Sequence, residues 1–160
     1  MSSQEHKQKI WNYIKDIKTA MVVTDNNGYL HARPMHVVQD DYDGTFWFFT
    51  KAKSDKVDEV QKDSAVCLTF CNIKDDVHIS LSGHARLSRD QAKIDEMWNP
   101  VVAAWFPEGK EDPNCALLEV KINKGEHWDS DSNPITFFYE IAKANVNNDT
   151  PDMGENQKFG

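Results

Sequence analysis

Cysteine is scarce in this chain and badly spaced for crosslinking. Only Cys67, Cys71 and Cys115 occur in 160 residues. On one strand Cys67 and Cys71 would stand about 13 Å apart. A disulfide needs Cα atoms about 4.4–6.8 Å apart, so those two cannot pair. Free thiols, as in a reducing compartment, are the expectation. There is no CxxC pair, and the histidines show neither HxxxH nor HExxH spacing, so no metal site is expected. No run of about 18 apolar residues appears, which leaves no candidate membrane-spanning helix. The opening MSSQEHKQKI is polar and has no signal-peptide apolar region, so the default expectation is cytoplasmic. Positive charge is also in deficit. Eighteen Lys and Arg against 26 Asp and Glu leave a net charge of −8, which argues against a nucleic-acid surface and against an anionic membrane.

What is present is apolar and aromatic. A hydrophobic content of 39% is enough for one domain with a real core, expected over residues 1–146. Ser2 to Lys18 reads as an amphipathic helix, with Ile10, Trp11, Ile14 and Ile17 on its buried face. Ala20–Thr24 and Tyr29–Val38 read as a β-hairpin around Asn27-Gly28, a pair suited to positive φ. Ser64–Cys71, Val77–Leu87, Cys115–Ile122 and Glu126–Asp129 read as further strand. In the second of these, Val77, Ile79, Leu81 and Ala85 face one way and His78, Ser80, Ser82 and His84 the other. Gly83 interrupts that pattern and suggests a bulge or a close backbone approach. Asp90 to Trp98 reads as a helix capped by Asp90, with a second helical turn over Val101–Phe106. Asn133-Pro134 reads as the cap and first residue of a last helix whose apolar side includes Ala142. Residues 147–160 are polar and expected to be disordered. About six strands joined mostly by hairpins, with short flanking helices, predict a mainly β (α+β) antiparallel barrel. Large aromatics near its open edges favour a dimer.

The stretch most open to a chemical reading is Thr45 to Val60, TFWFFTKAKSDKVDEV. It begins as a β-branched and aromatic strand. It ends as a helix with Ser54 as candidate N-cap and Val57 and Val60 on one face. Between them lies Lys51-Ala52-Lys53. Helix N-terminal N–H groups lack internal partners and carry partial positive charge. With the Thr50 and Ser54 hydroxyls and the ammonium groups of Lys51, Lys53 and Lys56, the turn offers an anion site suited to a phosphate. The alternative is a capped surface helix with solvated lysines. Arg33 stands just before Pro34, which lacks an N–H and so belongs at an edge, a bulge or a strand break. Arg33 is either a ligand-facing cation or an ordinary edge-strand arginine.

Taken in order, Arg33-Pro34-Met35, FWFFTKAKSDKVDEV, Ser82-Gly83-His84-Ala85, Met97-Trp98-Asn99-Pro100, Trp105-Phe106-Pro107-Glu108-Gly109 and Glu126-His127-Trp128 resemble the pyridoxamine 5′-phosphate oxidase-like FMN-binding split β-barrel family, in particular its short bacterial general stress proteins. The resemblance covers about residues 9–144. It implies a homodimer with a flavin at its interface, FMN in the first place and FAD as the longer alternative. It implies that Arg33, Pro34 and Met35 face the flavin ring and that Phe49 and Thr50 line its tail. Ser54 and Lys56 would hold the phosphate, with Lys51 beside them, and Trp128 would reach the flavin from the second subunit. Two departures matter. Asp55 replaces a basic residue of the true oxidase and should point to solvent or cap the helix. Asp129-Ser130-Asp131-Ser132 follow Trp128 where the oxidase carries an Arg–His grip on substrate phosphate. The resemblance therefore implies either a flavin-dependent oxidoreductase of another small substrate, with no catalytic residue assigned, or a flavin-binding store or sensor without turnover. Efficient oxidation of pyridoxamine phosphate is not expected.

Overall fold

The computed structural model describes residues 3–129, 134–148, 150 and 155–159. Helix α1 (Ser3–Ile17) is followed by β1 (Thr19–Asn26), β2 (Tyr29–His36) and β3 (Thr45–Lys51). Then come α2 (Asp55–Lys62), β4 (Ala65–Asn72) and β5 (Val77–Ser88). The short helices α3 (Gln91–Met97) and α4 (Pro100–Ala103) lead to β6 (Cys115–Asp129), α5 (Pro134–Asn147) and β7 (Glu155–Phe159). The strands form one antiparallel sheet in the order β2-β1-β4-β5-β6-β3, with β7 added to β6. No ladder joins β2 to β3 among the described residues, so the sheet curls without closing, and the architecture is a split barrel.

Local chemistry accounts for the hairpins. The β1–β2 turn uses Asn27 at φ 52° and Gly28 at φ 89°, with Asn26 opposite Tyr29. Two successive positive φ angles match the right-handed strand twist, and Asn-Gly pays least to adopt them. Pro34 sits on β2, the edge strand, where a missing N–H is tolerated. Strand β5 buries Val77, Ile79, Leu81 and Ala85 as its alternation predicts. Gly83 marks the register shift between β5 and β6. A Cβ there would crowd the backbone of β6, about 2.9 Å from the Lys121 carbonyl carbon and 3.1 Å from the Ile122 Cα.

Two apolar clusters share the β3–β6 wall. Val22, Phe46, Phe48, Leu68, Phe70, Ile79, Leu118 and Val120 fill the barrel interior, closed by Trp11 and Ile14 of α1. Trp47, Cys115 and Leu117 point the other way, onto Ile94, Met97, Val102 and Phe106 of the α3–α4 layer. Burial on both faces is why β3 reads as an unbroken aromatic run rather than an alternation.

Several expectations need correction. Strand β6 is continuous through 123–125, because the bulge opposite Ser82 and Gly83 absorbs the polar stretch without ending the ladder. Helix α4 starts earlier than predicted and is shorter. Asn99 caps it through Oδ1, which accepts from Val102 N at 2.9 Å, and Pro100 takes the first turn. Over 141–147, the part of α5 whose side chains are described, Ala144 is buried and Ala142 is exposed; the expected Asn133 cap lies outside the described residues. The expectation of disorder over 147–160 does not describe 155–159. That segment pairs with β6, and Phe159 packs over Gly125 and against the barrel core. A short polar strand gives little hydrophobic signal of its own and is held by the ladder it joins.

Candidate functional site

The aromatic strand, the basic turn and α2 meet the end of the β1–β2 hairpin. The turn is pinned by Asn114: its carbonyl accepts from Ala52 N at 2.8 Å and its Oδ1 from Lys53 N at 3.0 Å. That leaves Lys51 and Lys53 with exposed side chains in front of α2. Ser54 takes the cap position with extended backbone, φ −147° and ψ 157°, and its carbonyl accepts from Val57 and Asp58 N. The expected side-chain cap is absent. The Ser54 hydroxyl is buried and hydrogen-bonded to nothing. Asp55 is exposed, as the anion reading requires of it.

Lys56 ties the cluster together electrically. It is half-buried, and its pKa is lowered by that burial first, then by the charges of Arg33 and Lys51, with Asp55 acting in the opposite sense. Three cations from three elements (Arg33 of β2, Lys51 of β3, Lys56 of α2) therefore share one electrostatic neighbourhood. Like charges so arranged repel, and an anion at the helix N-terminus relieves the repulsion.

Arg33 is anchored from below by a network that sequence reasoning missed. Its Nη1 donates to Thr24 Oγ1 at 2.8 Å and its Nη2 to Glu59 Oε2 at 2.9 Å. Thr24 Oγ1 also donates to Glu59 Oε2, and His31 Nδ1 lies 3.2 Å from Glu59 Oε1. Glu59 is only 6% exposed. Its pKa falls to about 2 because of the hydrogen bond from Thr24 first, helped by His31 and Arg33 and opposed by burial. One signal was readable: Glu59 lies between Val57 and Val60, in the buried phase of α2. A carboxylate there demands a cationic or hydrogen-bonding partner. Which partner is a matter of tertiary placement.

The remaining expected residues divide. Pro34 is exposed, whereas Met35 is packed into the barrel core. Thr50 is buried on the inner face of β3. The Phe49 ring turns to the opposite side, 5.9 Å from Trp98 and 6.3 Å from Phe106. Phe49 and Thr50 therefore do not present their side chains to one common surface. Trp128 is 38% exposed near the far end of β6, whereas Lys51 pairs with Cys115 at its start. About 40 Å of strand separates the two ends of that run. Asp129, next to Trp128, is committed to α1 through Tyr13 Oη at 2.7 Å and Lys9 Nζ at 2.9 Å. Burial works to raise its pKa, but these two contacts outweigh it and hold the carboxyl below its ordinary value.

The architecture is that of the split-barrel proteins, and comparison with known proteins identifies the family. Residues 5–152 match the family model described as pyridoxamine 5′-phosphate oxidase like, and the chain belongs to that family. It is 26% identical over 135 residues to general stress protein 26 of Bacillus subtilis, covering 79% of this chain and 94% of that protein. The crystal structure of the general stress FMN/FAD binding protein from Xanthomonas citri superposes with a TM-score of 0.71 at 34% identity, covering 79% of this chain and 90% of that one. A structure assigned to general stress protein 26 from Jannaschia sp. CCS1 gives a TM-score of 0.74 at 28% identity over 99% of both chains. Among the described residues, no helix is long and apolar enough to cross a membrane.

Proposed function

We propose that this chain binds a flavin, FMN in the first place, with its phosphate on the cradle of Ser54, Lys56, Lys51 and Arg33. The observation that carries the proposal is the unsatisfied Ser54 hydroxyl at the start of α2, beside Lys56, whose pKa is lowered by burial and by the charges of Arg33 and Lys51. A buried hydroxyl without a partner is costly. A phosphate oxygen satisfies it, together with the first N–H groups of α2. The residues present therefore fit a phosphate monoester. The flavin-binding relative from Xanthomonas citri supports flavin as the group that carries it.

A bound flavin supplies electron transfer at its ring, while the protein orients it and limits access to it. Lys56 and Lys51 neutralise the phosphate, and Arg33 adds a guanidinium held on Glu59. Pro34, exposed next to Arg33 on the edge strand β2, would offer a surface to the ring. Within one protomer Trp128 stands at the other end of β6 from the cradle, which supports a site completed by Trp128 of the partner subunit in a homodimer. With such a flavin the chain acts as an oxidoreductase on a small substrate. Asp129 is held on α1 by Tyr13 and Lys9, and the sequence after Trp128, Asp129-Ser130-Asp131-Ser132, carries no basic residue to grip a substrate phosphate. That observation also favours a second reading, a flavin-binding store or sensor without turnover.

The test is the visible spectrum of the protein purified without added cofactor, followed by mass analysis of what acid releases. Flavin bands with FMN or FAD in the supernatant support the proposal. A colourless protein that also fails to bind added FMN refutes it. Anaerobic addition of NADH or NADPH then separates the two readings, since bleaching of the flavin bands is expected only of an oxidoreductase.

A further inference from the structure

The Glu59 carboxylate is out of place in an anion site. It lies one helical turn inside α2, 6% exposed, within the same group of side chains as Arg33 and Lys56. As a bare charge it would weaken any anion bound above it. Its contacts suggest the opposite effect. Oε2 receives Thr24 Oγ1 and Arg33 Nη2, and Thr24 Oγ1 in turn receives Arg33 Nη1 at 2.8 Å. The guanidinium is thus held by a fork of two acceptors on two elements, β1 and α2. Arginine has five N–H donors in a fixed plane. Two of them are used on these acceptors, which fixes the plane of the other three, and the side chain stays 21% exposed. An arginine on an edge strand would otherwise lose much rotamer freedom on binding a ligand, at a cost in affinity.

We propose that Glu59 is a positioning residue, whose buried carboxylate together with Thr24 locks the Arg33 guanidinium beside Lys56 and so preorganises the cradle for a terminal phosphate. The inference rests on the phosphate reading of that cradle. It assigns the selectivity of the chain for a phosphorylated flavin over an unphosphorylated one to a residue that does not touch the ligand.

The sign of one substitution separates positioning from bare charge. In Glu59→Gln the shape is kept and the charge is lost. Positioning predicts weaker FMN binding, by about tenfold, with riboflavin affinity changed less than about twofold. Charge alone predicts tighter FMN binding. Thr24→Val, which removes the second acceptor and one hydrogen bond to the carboxylate but keeps the Glu59 charge, should show the same selective loss in smaller measure. In a cycle with Arg33→Ala, Glu59→Gln should cost nothing further, because the group it positions is gone. Binding is read by flavin fluorescence on the full chain, with thermal midpoints taken for each variant. Tighter FMN binding in Glu59→Gln, equal losses for FMN and riboflavin, or additivity with Arg33→Ala overturns the inference while leaving the cradle in place. A wild-type chain that binds FMN no better than riboflavin removes the phosphate cradle itself, and the positioning role with it.

Discussion

Replacing Lys56 by alanine is the most direct perturbation of the cradle. An ammonium about 4 Å from a single negative charge gains about 4 kcal/mol at an effective dielectric constant of about 20. Lys56 is only half-buried, so solvent screening takes back part of that. What survives is on the scale of a charge-assisted hydrogen bond, about 1–3 kcal/mol. The Kd for FMN should then rise about 5-fold to 150-fold. Lys53→Ala is the control. Lys53 holds the turn through its backbone N–H on Asn114 Oδ1, which alanine keeps, and its side chain is exposed. Its effect should stay within about twofold. The pH dependence gives a second readout. In the free protein the Lys56 pKa lies below the ordinary 10.5, because burial, Arg33 and Lys51 disfavour its charge. A bound phosphate favours that charge, so binding takes up a proton once the free lysine has lost its own. FMN affinity should therefore fall as the pH rises through the free Lys56 pKa, and Lys56→Ala should abolish that fall. Titration of flavin-free protein with FMN, followed by fluorescence at several pH values, measures both. A Lys56→Ala affinity within twofold of wild type, or a pH profile that the substitution leaves unchanged, refutes the argument.

Other expectations concern the scaffold. Gly83→Ala should destabilise the protein by about 1–3 kcal/mol in urea unfolding, because its Cβ meets the backbone of β6 rather than a yielding side chain. Phe48→Ala removes a fully buried ring from the barrel interior and should cost about 3–5 kcal/mol by the same assay. The Glu59 pKa is depressed from 4.5 to about 2, so the stability it contributes is fully present above pH 4.5 and is lost as the pH falls toward 2. Acid titration of the unfolding free energy should be shallower over that window in Glu59→Gln than in wild type.

How far the sequence reaches is best seen residue by residue. The Asn27-Gly28 hairpin, the β5 alternation and the close approach at Gly83 were all legible, because each follows from local backbone chemistry or a two-residue period. The junction of β3, the basic turn and α2 was legible as well, since strand propensity, a cap residue and a helical face appear there in succession. The cap was right in position and wrong in chemistry: Ser54 ends the turn, yet its hydroxyl bonds nothing. Phe49 and Thr50, neighbours in the chain, serve different layers, which only the packing of α3 and α4 on the outside of β3 decides. Strand β7 gave no signal because five mostly polar residues have no face to bury until β6 offers a free edge.

What the amino-acid order determined by itself is therefore local: turns, alternation, the cluster of lysines at one helix start, and the family. Tertiary structure alone decided that Arg33, twenty-six positions from Glu59, lies on that carboxylate beside Lys56. It also placed Trp128 at the far end of the strand that begins at the cradle. The physical reason is the same in both cases. Backbone propensities act over a few residues, whereas charge pairing and burial depend on distances that exist only after the sheet has curled and α2 has packed across its hairpin.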